Sequence, residues 1–332
     1  MFYSSGTFQN RIIEFSIGIG TVVIVSYITI RLFKKPKNKK ITRIIDTMEV
    51  LNKSTVHIKN RDKVEEIVSQ LIKGGASKLQ VIADFDLTLS RAHKNGEPCN
   101  TTYGILKSSS FVSEDYKVQT NHLFEHYHPI ETDPSLPKSK KVQHMIEWYH
   151  KSTGLISGSG ISKDNVPEMV AASTACLRDD CNVLFETLYK RNVPMLVFSA
   201  GVGDLLKEVL KQNNLLYPNV KIIANFLNFD EKNETTGFKG DLIHTFNKNQ
   251  SSIENHDYFE HLRARNNVIL LGDSLGDLDM AEGVKEVNAM LKIGFLNYKI
   301  EQNLPEYLKM YDIVLTDDQT MDVVLGLLQN IL

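Results

Sequence analysis

Cysteine is scarce in this chain of 332 residues. Its three thiols, Cys99, Cys176 and Cys181, have neither the spacing of a metal site nor the even count of a disulfide framework. That excludes a bridge-stabilised secreted scaffold and fits a reducing compartment. Net charge is nearly absent too: 38 Lys and Arg stand against 40 Asp and Glu, a formal balance of -2. No basic field exists to hold a nucleic-acid polymer. Internal repeats are missing, and the only biased tract is a short basic run after residue 30, which rules out a repeat architecture. After the first forty or so residues, one large domain carrying an inserted smaller one is the economical reading of this length.

Long uncharged runs are missing as well, except at the N-terminus. Phe15 to Ile30 carries no charge, with Glu14 before it and Arg31 after it. A membrane span needs about 20 apolar residues, and Ile12 to Phe33 reaches that length if its ends snorkel. Arg31, Lys34, Lys35, Lys37, Lys39 and Lys40 follow, whereas Arg11 alone precedes, so the charge bias puts the downstream domain on the cytosolic side. Residues 1–40 are therefore expected to be a hydrophobic segment and basic linker that anchors the chain, through residues 12–33, to an internal membrane such as the endoplasmic reticulum. A disordered or loosely bound leader is the alternative. A cleaved signal peptide fits less well, because no basic cluster precedes the apolar core and no Ala-x-Ala-like site is found.

What is present concentrates where apolar runs end. The run Leu79 to Phe85 closes on Asp84-Phe85-Asp86-Leu87-Thr88, and carboxylates two residues apart leave a strand end on the same side. One can attack phosphorus while the other moves protons at the leaving oxygen and at water. An Asp-x-Asp after a strand is also an ordinary turn. The run Met195 to Phe198 ends in Ser199-Ala200-Gly201: a hydroxyl and backbone N–H groups that suit a phosphate oxygen, or simply a turn before the helix-like stretch Asp204 to Gln212. Asn267 to Leu271 ends in Gly272-Asp273-Ser274-Leu275-Gly276-Asp277. Its two carboxylates offer hard oxygen ligands to a small divalent cation, which Mg2+ fits best, and are otherwise a solvated acidic loop. Lys248 falls between the second and third motifs, and a lone lysine is ordinarily surface decoration.

In order, Asp-x-Asp-x-Thr, Ser, Lys and Gly-Asp-x-x-x-Asp resemble the haloacid dehalogenase superfamily of aspartyl-phosphate phosphatases. More narrowly, Asp84 to Arg91, Glu147 to Ser152, Phe198 to Asp204, Gly237 to Gly240 and Gly272 to Asp277 look like the cytosolic 5'-nucleotidase III (pyrimidine 5'-nucleotidase) family, from about Ile41 to the C-terminus. The resemblance implies an α/β fold, a haloacid dehalogenase-like doubly wound parallel sheet with a Rossmann-like core and an inserted helical cap. It implies Asp84 as nucleophile and Asp86 as general acid and base. Mg2+ would be held by the Asp84 carboxylate, the Asp86 carbonyl and Asp273, with Asp277 completing or orienting that shell. Ser199, the Ala200 N–H and Lys248 would bind phosphate. Glu131 and Ser152 match positions that contact the nucleotide, although a Glu read alone is a solvated cap residue. Trp148 and Tyr149 could wall a base pocket or pack the core of the cap. Ala92-His93 stands where the family tends to carry an aromatic residue, a departure that bears on base preference.

Segment order agrees with such a fold. Val64, Ile67, Val68, Leu71 and Ile72 follow helical spacing, and Gly74-Gly75 is expected to stop that helix before the first catalytic strand. The helix after Ser199, the strand Val220 to Phe226, and the strand Asp312 to Thr316 before a terminal helix repeat the alternation. They predict a parallel sheet whose ligands gather at the carboxyl ends of its strands. Residues 91–191 interrupt the rhythm by more than a loop explains. They are assigned to a helical cap that sets specificity, with helices over Val142 to His150 and Val166 to Leu188 and punctuation at Ile130 to Pro134. Residues 41–90 and 192–332 form the catalytic core, and Phe226 to Phe229 with Phe238 to His244 predicts a hairpin.

The expected activity is magnesium-dependent hydrolysis of the pyrimidine nucleoside 5'-monophosphates CMP and UMP. It could extend to 7-methylguanosine monophosphate and to phosphate transfer onto a nucleoside. Competing expectations are a phosphatase of another small metabolite such as phosphoserine, and a noncatalytic membrane-tethered binding protein. Against the last stands the joint retention of Asp84, Asp86, Lys248, Asp273 and Asp277. The expected partner is a nucleoside monophosphate, with no nucleic-acid polymer, and the expected state is a cytoplasmic monomer.

Overall fold

The computed structural model describes residues 43–133, 135–249 and 257–332. The N-terminal hydrophobic segment, its expected membrane contact at residues 12–33 and Pro134 lie outside the described residues. Among the described residues, no helix is long and apolar enough to cross a membrane.

The first part of the chain forms β1 (Val56–His57), α1 (Arg61–Lys78), β2 (Leu79–Ala83) and the small ribbon β3 (His93–Lys94) with β4 (Glu97–Pro98). Five helices follow: α2 (Thr102–Ser108), α3 (Glu114–Thr132), α4 (Lys138–Ile156), α5 (Val166–Ala171) and α6 (Cys181–Lys190). The chain then alternates through β5 (Met195–Val202), α7 (Gly203–Gln212), β6 (Val220–Asn225), β7 (Leu227–Phe229), β8 (Thr235–Phe238) and α8 (Asp257–His261). It ends with β9 (Asn267–Gly272), β10 (Ala289–Leu296), α9 (Ile300–Met310), β11 (Ile313–Thr316) and α10 (Asp322–Ile331).

Seven strands make one sheet in the order β1-β11-β10-β9-β2-β5-β6. All neighbours run parallel except the edge pair of β1 with β11. β2 and β9 are buried along their whole length, as near-continuous apolar strands covered on both faces must be. Alternate side chains serve opposite faces. Val81, Ala83, Val197, Ile269 and Leu271 pack with Val64, Val68 and Leu71 of α1 and with Leu327 and Ile331 of α10. Ile82, Leu196, Phe198, Val268 and Leu270 pack with Met280 and Tyr311, and with Leu304 and Leu308 of α9. The expected doubly wound parallel sheet is therefore present. The chain leaves β2 for β5 on one side and returns to β9 on the other, so the order reverses beside β2. Ligand sites of such sheets open at that point.

Gly75 interrupts α1 as expected: it takes φ 57°, which glycine adopts without steric cost, and only a short turn to Lys78 lies beyond that kink. Three local expectations differ. Helix does not continue through residues 172–180, because Arg91 N donates to Cys176 O at 2.9 Å and Arg178 N to Leu89 O at 3.0 Å. Tertiary pairing there overrides local spacing. Residues 130–132 are not a break but the last turn of α3, which tolerates Pro129 near its end, with Thr132 Oγ1 donating to His128 O at 3.0 Å. The hairpin pairs Leu227 with Phe238 and Phe229 with Thr235, so its second strand ends where it was expected to begin. Asp230 Oδ1 closes the turn early, accepting from Lys232 N and Glu234 N at 2.9 Å each.

Candidate active site

Asp84 follows the last residue of β2 and extends its pairing to β9, with Asp84 N donating to Leu271 O at 3.0 Å. Asp273 follows the end of β9, and Asp277 lies within the short 3-10 helix Leu275–Ala281 that comes next. One oxygen of each of these three residues lies within 4.8 Å of the others. Lys248 Nζ donates to Asp84 Oδ1 and, at 2.7 Å, to Asp277 Oδ1. The second oxygen of Asp277 accepts from Asp273 N (3.1 Å), Ser274 N (2.9 Å) and Ser274 Oγ (3.0 Å). Both Asp277 oxygens are therefore spent inside the protein. Asp84 Oδ2, in contrast, is buried with no hydrogen-bond partner, a costly state for a polar atom.

The electrostatics follow from this crowding. Burial raises Asp84, Lys248 opposes it, and Asp277 and Asp86 push it further up. Burial, Asp84 and Asp277 raise Asp273 well above the carboxylate range. Burial alone would depress Lys248, but Asp277 and Asp84 hold it above the ordinary lysine value. Three carboxylates crowd around one ammonium, and burial together with that crowding is what raises Asp84 and Asp273.

Asp86 is half-buried beside this cluster, and burial raises its carboxyl while hydrogen bonds from Thr102 oppose the shift. The next residue, Leu87, sits at φ 64°, an uncommon backbone for a side chain of that size. It is held there by Arg178 Nη2 (2.6 Å) and Asn297 Nδ2 (3.0 Å), both donating to Leu87 O, and by Leu87 N donating to Ser90 Oγ at 2.9 Å. Ser199, within β5, accepts from Gly201 N at 3.0 Å. Ala200 O accepts from Asn225 Nδ2 at 2.8 Å. The fold thus gathers Asp84, Asp86, Lys248, Asp273 and Asp277 with the Ser199 to Gly201 corner. Sequence reading missed Thr102, Arg178 and Asn297. Nothing local marks the last two, and Thr101-Thr102 signals only a helix start.

Residues 87–332 match the family model of pyrimidine 5'-nucleotidase (UMPH-1). The chain belongs to this family. It is a 5'-nucleotidase, a phosphoric monoester hydrolase. The 7-methylguanosine phosphate-specific 5'-nucleotidase of Rattus norvegicus is 48% identical over 282 residues, covering 85% of this chain and 94% of the relative. The protein of the same name from Homo sapiens is 47% identical over 287 residues, covering 86% and 96%. The crystal structure of cytosolic 5'-nucleotidase IIIB bound to cytidine superimposes with a TM-score of 0.80 at 38% identity, over 86% of this chain and 96% of that one. The sheet is therefore of the haloacid dehalogenase-like α/β type.

Above the carboxyl ends of the strands, this 5'-nucleotidase carries the paired helices α3 and α4. Trp148 stacks on buried Tyr127 with ring centres 5.7 Å apart, so it packs the helix pair. Tyr149 faces the sheet, with its hydroxyl 3.5 Å from Ala200 O and its ring edge-on to His244 at 6.1 Å. Ser152 is half-buried on α4, three residues beyond Tyr149, a spacing that shares a helix face. Glu131 Oε1 accepts from Thr245 Oγ1 at 2.6 Å, which ties the end of α3 to the loop that delivers Lys248. Burial pushes His244 down to about 4 against the opposing pull of Glu131.

Proposed function

We propose that this 5'-nucleotidase is magnesium-dependent and hydrolyses CMP, UMP and 7-methylguanosine monophosphate through phosphorylation of Asp84. One observation carries the reading: a buried, unpartnered carboxylate oxygen of Asp84 at the carboxyl end of a central strand, inside a cluster of three carboxylates. Hard oxygen donors crowded together and an unsatisfied buried oxygen are what a small divalent cation fits. Asp84, Asp273 and the Asp86 carbonyl would hold Mg2+. Asp277, its oxygens already bonded, orients the loop and Lys248. When bound, the ion screens the phosphate from the nucleophile.

Asp84 attacks phosphorus in line, and Asp86 gives its proton to the departing 5'-oxygen. Asp86 then takes a proton from the water that cleaves the aspartyl-phosphate, releasing inorganic phosphate. A nucleoside hydroxyl in place of that water gives phosphotransfer. Ser199, the Ala200 N–H and Lys248 bind the phosphate oxygens. Residues 91–191 form the cap, with Glu131 and Ser152 contacting base and ribose, while residues 41–90 and 192–332 supply the core. The relatives named for 7-methylguanosine phosphate and the cytidine-bound structure support this choice of substrates. The enzyme acts as a monomer on the cytoplasmic side, attached to an internal membrane through residues 12–33.

The test is phosphate release from CMP, UMP, 7-methylguanosine monophosphate, AMP, GMP and phosphoserine, with Mg2+ and with chelator. Magnesium-dependent preference for the first three is the expected result. Release from phosphoserine alone, or release undiminished by chelator, overturns it.

A further inference from the structure

Asp86 is gripped from outside its own strand. Its Oδ1 accepts from Thr102 N at 2.8 Å and its Oδ2 from Thr102 Oγ1 at 2.6 Å. The same hydroxyl accepts from Val202 N at 3.0 Å. A threonine hydroxyl has one proton, and with Val202 N–H on a lone pair that proton is directed at Asp86. Thr102 is buried at the first position of α2, where backbone N–H groups have no intrahelical acceptor. Its N–H is therefore free to serve the carboxylate. Thr101, not Thr102, caps this helix, accepting from Gly104 N at 3.1 Å. Gly201 lets the three segments meet: a Cβ there would stand 2.2 Å from Thr102 Oγ1 and 2.6 Å from Asp86 Oδ2.

We propose that Thr102 is the positioning residue for Asp86. By donating to both carboxyl oxygens it fixes the plane of that group, so proton delivery to the leaving 5'-oxygen occurs from one orientation, and it links that orientation to α2. The inference rests on Asp86 being the proton donor, as read above. The last torsion of an aspartate is soft and broadly populated when nothing holds it. Two donors from one residue remove that freedom. Losing the hydroxyl frees one oxygen, and the cost falls only on reactions in which the departing oxygen needs a proton. A nucleoside alkoxide needs one, whereas nitrophenolate leaves without it.

The experiment measures kcat/KM, which reports the step that expels the leaving group, for CMP and for p-nitrophenyl phosphate with Mg2+ present. It uses the wild-type full chain, Thr102→Val, Thr102→Ser and Asp86→Asn. Thr102→Val is expected to lose about 10- to 100-fold on CMP while staying within about threefold of wild type on p-nitrophenyl phosphate, and Thr102→Ser restores CMP turnover. Equal losses on the two esters, no loss on CMP, or a serine variant as poor as valine overturns the proposal. If Asp86→Asn also fails to separate the esters, the acid role of Asp86 falls and the proposal falls with it. If Asp86→Asn separates them and Thr102→Val does not, only the positioning role is lost. Should Thr102→Val not yield folded protein, Thr102→Ala makes the same comparison without added bulk.

Discussion

Lys248 and His244 show how the same burial produces opposite charge states four residues apart. Lys248 stays protonated because Asp84 and Asp277 hold it, and removing such a partner leaves carboxylates buried and uncompensated. His244 lacks an equivalent grip. It is buried, its Nδ1 accepts from Phe246 N at 3.2 Å, and it titrates near 4 instead of 6.5. Between those values the unfolded chain binds the extra proton, so the stability His244 contributes is complete above about pH 6.5 and is lost as pH falls toward 4. The raised carboxyls of Asp84, Asp86 and Asp273 act in the opposite sense, being more protonated when folded. A comparison with His244→Asn isolates the histidine. Wild type is expected to lose about 1 to 2 kcal/mol more unfolding free energy than this variant between pH 7 and pH 5, measured by urea denaturation at each pH. Equal losses would show that His244 is charged in the fold.

Elements with strong internal patterns were legible, and elements set by partners were not. β2, β5 and β9 announced themselves as apolar runs ending in chemistry, because a strand buried on both faces has nowhere to put polar residues. Residues 172–180 favoured helix by local spacing yet leave it after one turn residue, since Arg91 N bonds to Cys176 O and Arg178 N to Leu89 O. The β7–β8 turn closed early for a reason carried by one side chain, Asp230. Thr102 and Arg178 were illegible for a similar reason: each acts on a segment at least 16 residues away, and no periodicity records that. The α3–α4 pair divides its labour along the same line, with Trp148 packing inward on Tyr127 and Glu131 reaching the Thr245 loop. Because Glu131 contacts base and ribose but not the phosphate in the proposed mechanism, Glu131→Ala is expected to reduce kcat/KM for CMP by about 10- to 100-fold, the worth of a hydrogen bond to a charged group. p-Nitrophenyl phosphate, which has no base or ribose to contact, is expected to change little. Equal losses on both esters would assign Glu131 to holding the Lys248 loop instead.

At the scale of the whole molecule, residues from Ile44 to Leu332 form one compact unit, with apolar side chains packed on both faces of its sheet. The unit ends its central strands on the carboxylates of Asp84 and Asp273, which share a cluster with Asp277. Crowding them there costs folding stability, and the divalent cation proposed for this site would offset that cost. Ligands that bind the folded state alone stabilise it by RT ln(1 + [L]/Kd), about 2.7 kcal/mol at a hundredfold excess over Kd. Adding millimolar Mg2+ to chelator-treated protein is therefore expected to raise Tm by several degrees, in proportion to the logarithm of concentration once the site is saturated. Asp273→Asn removes one negative charge and one hard ligand together. It should raise Tm in chelator, by relieving repulsion with Asp84 and Asp277, and should abolish most of the Mg2+ response. A variant that keeps the full magnesium shift would place the cation elsewhere, and a wild-type Tm indifferent to Mg2+ would mean that protons on Asp84 and Asp273 already neutralise the cluster.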